Sequence, residues 1–453
     1  ATVWGGRRPG CGERNTLVEA VVEARTPAPA VVAAPATPIG DVPAEAAVAA
    51  PTGIGELDRV LSGGLVPGSV SLLGGEPGIG KSTLLLQAAV GTAATGRRVL
   101  YITAEESAAQ VRARAARLGP LPDDLWVAAD TDLPRVLAHI AAVEPTMLIL
   151  DSIQTIHDPE LTSAPGAVAQ VRACAHRLVE EARARRMATV LVGHVTKDGA
   201  LAGPRVLEHL VDTVLSFDGD RHHALRLLRA IKHRHGGTGQ LGVFEMTGTG
   251  LVDVADPSAL FLADRCKGVA GSVVTPILDG GRPLLVEVQA LLAPSALPSP
   301  RRQAQGFDGG RLGMLLAVLA QRAGVSVADQ DVWVTVAGGV KASEPALDLA
   351  VALAVTSAVT GHPVGDDVVV CGELGLAGEL RQVGSLDRRL AEAARLGFRR
   401  AVLPTSAPEP PRSCRALRVG SVAEAMVAAG LVPAPPSRDR RSPPPSRSAP
   451  GSV

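Results

Sequence analysis

The run Gly75-Glu76-Pro77-Gly78-Ile79-Gly80-Lys81-Ser82 constrains this chain more than any other segment. It fits GxxxxGK[ST] at every fixed position and requires a strand before it and a helix after it. Val70-Ser71-Leu72-Leu73 reads as the buried strand, and Ser82-Thr83-Leu84-Leu85-Leu86-Gln87-Ala88-Ala89 as the helix start. Such a unit aims backbone N–H groups and a helix N-terminus at an anion. Residues Gly75, Glu76, Pro77, Gly78, Ile79, Gly80, Lys81, Ser82 and Thr83 are therefore expected to bind nucleotide. Lys81 would reach the β/γ oxygens of ATP, and the Ser82 hydroxyl would ligate Mg²⁺.

The remainder of the chain supports a multi-domain α/β enzyme. At 453 residues the length implies roughly two to three domains. Formal net charge is zero and aromatic residues make up 2%. No global field recruits nucleic acid, and too few rings exist for a base-stacking platform. No apolar run reaches bilayer-spanning length and no signal peptide is recognisable, so a cytoplasmic location without membrane association is expected. Cys11, Cys174, Cys266, Cys371 and Cys414 show no pairing pattern, which suits a reducing compartment. Arginine is the default cation; the only lysines are Lys81, Lys197, Lys232, Lys267 and Lys341. A lysine in such a background hints at a required point charge.

Pro27 to Pro51 is Ala/Pro/Val-rich and reads as a linker (27–51) after a short N-terminal piece (1–26). From 52 to 264 strands and helices alternate as in a wound parallel sheet. Val99–Thr103, Met147–Asp151 and Ala188–Val195 are predicted strands. Val168, Val171, Ala175, Leu178 and Val179 share one helical face. A second α/β region spans 265–432, with strands at Leu284–Val288, Val332–Val336 and Val368–Cys371. Its helices are expected at Leu312–Arg322, Pro345–Val359 and Leu386–Leu396. Residues 433–453 are Pro/Ser/Arg-rich and expected to be disordered.

Several polar residues fall at predicted strand ends, the ligand edge of an open α/β sheet. Asp151 is expected to hold Mg²⁺ or its water. Glu105 is assigned the orientation of the attacking water, although it and Glu106 equally fit a solvated first helical turn. His194 in Gly193-His194-Val195-Thr196-Lys197 is expected to sense the γ-phosphate. Lys232 and Arg234, in Lys232-His233-Arg234-His235-Gly236, follow a predicted strand Ala224–Ala230. One residue apart on extended chain, they would point to one side and could reach a neighbouring subunit's phosphates.

These segments together resemble the bacterial RadA (Sms) family of DNA-repair ATPases, within the RecA/DnaB superfamily. The resemblance rests on the phosphate loop, Thr52–Leu61, Ala104-Glu105-Glu106-Ser107, Leu150–Thr155, Gly193–Lys197, Ala202–His209, Gly242–Met246 and Gly372–Arg381. It implies a RecA-like phosphate-loop ATPase core followed by a Lon-protease-like α/β domain. It also implies a homo-hexameric ring hydrolysing ATP on single-stranded DNA and acting with RecA on branched recombination intermediates. Loops near Ile156–Gly166 and Lys197–Arg205 would face the DNA, with Lys197 and Arg205 contacting phosphates. The family carries KNRFG where this chain has KHRHG, so both cations stand while His replaces Asn and Phe. The family's four-cysteine zinc ribbon is reduced to a remnant. Arg8 takes the third cysteine position, Cys11 the fourth, and the first pair is absent, so the chain either lacks its start or carries a decayed ribbon. One thiolate cannot close a tetrahedral site, and no Zn²⁺ is expected here. In the Lon-like region Ala346 and Asp387 stand where the Ser–Lys dyad would be, and proteolytic inactivity is expected. The alternatives are an ATP-binding scaffold without translocation and a Lon-type protease.

Overall fold

The computed structural model describes residues 38–41, 48–194, 205–219, 225–339, 342 and 344–432. The chain forms two compact units, Ala1–Ala46 and Ala47–Val453. Of the first, only Pro38 and the 3-10 turn Ile39–Asp41 are described. The expected ribbon remnant with Cys11 and the expected tail 433–453 lie outside the described residues.

Within the second unit the first layer opens with α1 (Gly55–Val60), then β1 (Val70–Gly75), α2 (Lys81–Ala93), β2 (Val99–Thr103) and α3 (Ala108–Ala115). It continues with β3 (Leu125–Ala129), α4 (Leu133–Val143), β4 (Met147–Asp151), α5 (Val168–Arg185), β5 (Ala188–His194) and α6 (Arg205–Glu208). β6 (Thr213–Asp218), β7 (Leu225–His233), β8 (Leu241–Thr247) and β9 (Gly250–Asp253) complete it. These strands form a nine-stranded sheet in the order β3-β2-β4-β5-β1-β6-β7-β8-β9. β1 to β6 are mutually parallel, and β7 to β9 append an antiparallel meander. The largely apolar inner strands β1, β2 and β4 bury both faces, as a parallel sheet covered by helices requires, whereas the edge strand β3 is half exposed. Leu84, Leu85, Ala88 and Ala89 of α2 pack on one face; Leu178, Val179 and Ala182 of α5 cover the other.

A second layer follows α7 (Pro257–Leu262): β10 (Ser272–Asp279), β11 (Arg282–Pro294), β12 (Arg302–Gln305), α8 (Gly309–Ala323), β13 (Gln330–Val336) and α9 (Asp348–Thr360). Then come β14 (Val368–Val370), the ribbon β15 (Glu373–Leu374) and β16 (Leu380–Arg381), α10 (Leu386–Arg395), β17 (Arg400–Pro404), β18 (Arg415–Val419) and α11 (Val422–Ala428). Its seven-stranded sheet runs β12-β13-β11-β10-β14-β17-β18. α9 is buried over Asp348–Ser357, and its one buried charge, Asp348, is met by a bidentate Arg311 at 2.5 and 2.6 Å.

Three expectations need correction. The strand expected at 224–230 runs Leu225–His233, placing Lys232 and His233 inside it; a register shift at Val214/Leu215 lets it continue past Ile231. Val168 is exposed because α5 begins there, while Val171, Ala175, Leu178 and Val179 form the expected buried stripe and Cys174 joins it. Ala50, inside the expected linker, forms an antiparallel bridge with Leu65.

The two sheets are joined by buried charge. Glu56 on α1 is 3% exposed; it accepts from Arg282 Nη1 at 2.6 Å, Arg59 Nε at 3.1 Å and the Val243 amide at 3.0 Å. Arg229 of β7 grips Asp279 at the β10–β11 turn. Gly239 and Gly280 meet so closely there that a Cβ on Gly239 would lie 2.8 Å from the Gly280 carbonyl oxygen. Arg282→Leu leaves the buried Glu56 carboxylate with only Arg59 and the Val243 amide and is expected to cost ~2 kcal/mol. The denaturant midpoint reads this loss, and Glu56→Gln in the same chain should recover part of it.

Candidate nucleotide site

The site forms at the C-terminal edge of the parallel strands. β1 runs straight into the phosphate loop, whose wrap depends on glycine at two points. A Cβ on Gly75 would lie 2.4 Å from the Phe217 carbonyl oxygen. Gly80 has φ +112°, and a Cβ there would meet Met246 Cε at 2.5 Å. Lys81 opens α2, is 5% exposed, and donates to the carbonyls of Gly75 at 2.7 Å and Glu76 at 2.9 Å. Burial lowers its pKa, opposed by the charges of Asp151, Glu105 and Glu76. Those three carboxylates therefore share the lysine's field, although Asp151 and Glu105 lie far from it in sequence. Ser82 and Thr83 follow, half-buried on the first turn of α2.

Asp151 ends β4 and is paired in register with Thr103, the last residue of β2. Its Oδ2 accepts from the Tyr101 hydroxyl at 2.8 Å; burial pushes that phenol's pKa well up, so it stays a donor. A cis peptide joins Asp151 to Ser152, and Ser152 Oγ donates to Glu105 Oε1 at 2.6 Å. Glu105 itself is exposed. Glu106, by contrast, turns away into an ion pair with Arg114 of α3. His194 ends β5, in register with Gly75.

Among the described residues no group of three His, Cys, Asp or Glu is placed to hold a metal ion. Mg²⁺ fits this site in another way. The glycine cradle leaves room for phosphates, and Asp151 and Ser82 offer a carboxylate and a hydroxyl beside it.

The two basic residues point to one side, toward the α6–β6 corner. Lys232 Nζ donates to the Val211 carbonyl at 2.8 Å and to that of Glu208. Arg234 Nη1 donates to Asp212 Oδ1 at 3.1 Å, with its side chain 50% exposed. Between them His233 is buried against Thr213 Oγ1 at 2.9 Å. Burial depresses its pKa, so the histidine in place of Asn serves as a neutral core residue. Lys197 lies outside the described residues; Arg205 opens α6.

Two further residues escaped the sequence reading. Arg226 of β7 is 7% exposed and donates from Nε to the Ile79 carbonyl at 3.0 Å, bracing the phosphate loop from 147 positions away. Gln170, 1% exposed on α5, binds across the loop 156–166. Its Oε1 accepts from the Asp158 amide at 2.9 Å, and its Nε2 donates to the Asp158 and Ser163 carbonyls at 3.1 and 2.8 Å. The only local signal was a glutamine among apolar helix positions.

A six-strand parallel sheet with a phosphate loop after β1, and an aspartate at the end of β4 with β5 interposed between the two strands, defines a RecA-like ATPase domain. The family model described as an AAA domain matches residues 38–200, and one described as subunit ChlI of Mg-chelatase matches residues 316–407 in the second layer. The DNA repair protein RadA of Halalkalibacterium halodurans is 48% identical over 408 residues, covering 88% of this chain and 89% of its own length. That of Bacillus subtilis is 43% identical over 434 residues, covering 93% and 94%. A solved KaiC-like protein of Pyrococcus horikoshii, 20% identical with a TM-score of 0.39, covers 46% of this chain and 99% of its own. The chain belongs to the RadA family of DNA repair proteins.

Proposed function

We propose that this chain is a DNA-dependent ATPase motor of recombinational repair, a homo-hexamer that processes branched intermediates alongside RecA. The observation that carries the reading is the placing of Lys81, after the phosphate loop that follows β1, and Asp151, at the end of β4, on one sheet edge, with Glu105 bonded to Ser152 beside Asp151, in a chain of RadA ancestry along most of its length. Residues 52–264 would form the ATPase domain and 265–432 a Lon-like scaffold.

In this reading the loop amides 75–83 and Lys81 bind the β- and γ-phosphates, and Ser82 with Asp151 holds the metal. When bound, Mg²⁺ neutralises charge building on the phosphate oxygens. Glu105, on the same edge, orients the attacking water and takes up its proton. His194, beside the loop in the sheet, reports the γ-phosphate to the segment that begins at Val195. Lys232 and Arg234 reach a neighbour's phosphates once released from the α6–β6 corner. Lys197, Arg205 and the loop 156–166 supply DNA contacts without sequence preference.

The second layer would have no protease chemistry. Ala346 is fully buried and Asp387 is exposed; beside them Arg389 pairs with Glu344 at 2.7 Å and with the Pro276 carbonyl at 2.8 Å. Lys341 and Ser343 lie outside the described residues. One observation favours a scaffold reading: both cations of the basic motif are held by their own chain. Strand displacement on a forked DNA separates the two. ATP-dependent displacement, lost in Lys81→Ala, is expected; ATP binding without displacement would make the scaffold the better account. Casein degradation would revive the protease.

A further inference from the structure

We infer that Tyr101 is a positioning residue for the metal-binding carboxylate, its hydroxyl fixing the rotamer in which Asp151 faces the nucleotide. The inference rests on the proposed ATPase reading and deepens it. Tyr101 is the only tyrosine of the chain, sits in the middle of β2, and is 1% exposed. Ile149 is its register partner, two residues short of Asp151. Side chains at Tyr101 and Asp151 therefore stand on the same face of neighbouring strands, and the phenol reaches up to Oδ2 at 2.8 Å.

Packing alone does not call for that hydroxyl. The ring lies among Leu86, Val111, Ala115 and Leu125, beside a cavity of ≈360 Å³ walled mostly by apolar side chains. A phenylalanine would satisfy those neighbours equally. A buried phenol is costly unless it finds a partner, and an ionised carboxylate only accepts, so the phenol is the donor. Asp151 ends a strand at an open edge, where an unbraced carboxylate could rotate toward Lys81. The Tyr101 bond removes that freedom before the metal arrives, and charge-assisted bonds of this kind are the strong ones.

The test uses the full chain and three readouts. Tyr101→Phe should raise the Mg²⁺ concentration for half-maximal ATPγS binding and lower kcat, each by roughly tenfold. KM for ATP at saturating Mg²⁺ should stay within about twofold, as should nucleotide affinity in EDTA. On an Asp151→Ala background the same change should have no further effect. Because the tyrosine is unique, biosynthetic 3-fluorotyrosine labels this site alone, and keeps the hydroxyl should Tyr101→Phe fold poorly. Its ¹⁹F resonance should move when Mg²⁺ is added to the ATPγS complex and stay still when ATPγS is added in EDTA. Unchanged Mg²⁺ dependence in Tyr101→Phe, or a ¹⁹F signal blind to Mg²⁺, overturns the inference. If the wild type binds Mg²⁺–ATPγS but turns over no ATP, the ATPase reading falls, while the binding and ¹⁹F readouts still decide the role of Tyr101.

Discussion

Lys81→Ala is expected to lower ATP turnover on the order of 10³-fold while leaving the melting temperature nearly unchanged. The ammonium is already placed by two loop carbonyls, on a side chain only 5% exposed. Charge fixed in such a place meets the developing negative charge without reorganising. Lys81→Arg should fail as well, since a planar fork is larger than a point charge and Phe217 and Met246 crowd the loop glycines. Phosphate release at saturating ATP reads both variants. Turnover within tenfold of wild type in Lys81→Ala would remove the lysine from the chemistry.

The second large effect is expected from Lys232→Ala combined with Arg234→Ala, a loss of about 10³-fold in turnover with nucleotide affinity held within a few-fold. Their positions allow two explanations for such a loss. Both side chains brace the α6–β6 corner of their own chain, and Arg234 is also half exposed. A role across a subunit boundary can be rescued in trans. Mixing the double variant, with its intact phosphate loop, with Lys81→Ala protein, with its intact basic motif, should restore part of the activity. An affinity loss matching the turnover loss would make the pair ordinary ligands within one subunit.

What the sequence revealed was what local chemistry encodes. The strands β2 and β4 have the ends expected for them, because each is a short apolar run stopped by a polar edge residue. The phosphate loop carries its own context, and Asp151 follows from being where β4 stops. What stayed hidden depends on register and on distant partners. Tyr101 looked like one more buried strand residue until β2 and β4 were aligned. Arg226 looked like one of many arginines, and its bond to the Ile79 carbonyl exists only because β7 follows β6 beside the loop. Likewise, nothing local in the segment 156–166 signals that one buried glutamine ties it to α5. The length of β7 was missed for a similar reason: the register shift that carries it to His233 has no signature in composition.

The most direct measurement is steady-state ATP hydrolysis by the purified full chain, titrated with single-stranded DNA of increasing length, with Lys81→Ala as the control. The account predicts a rate that climbs with DNA length to a plateau and is absent in the variant. A wild-type rate that DNA of any length leaves unchanged, or that persists in Lys81→Ala, would contradict it.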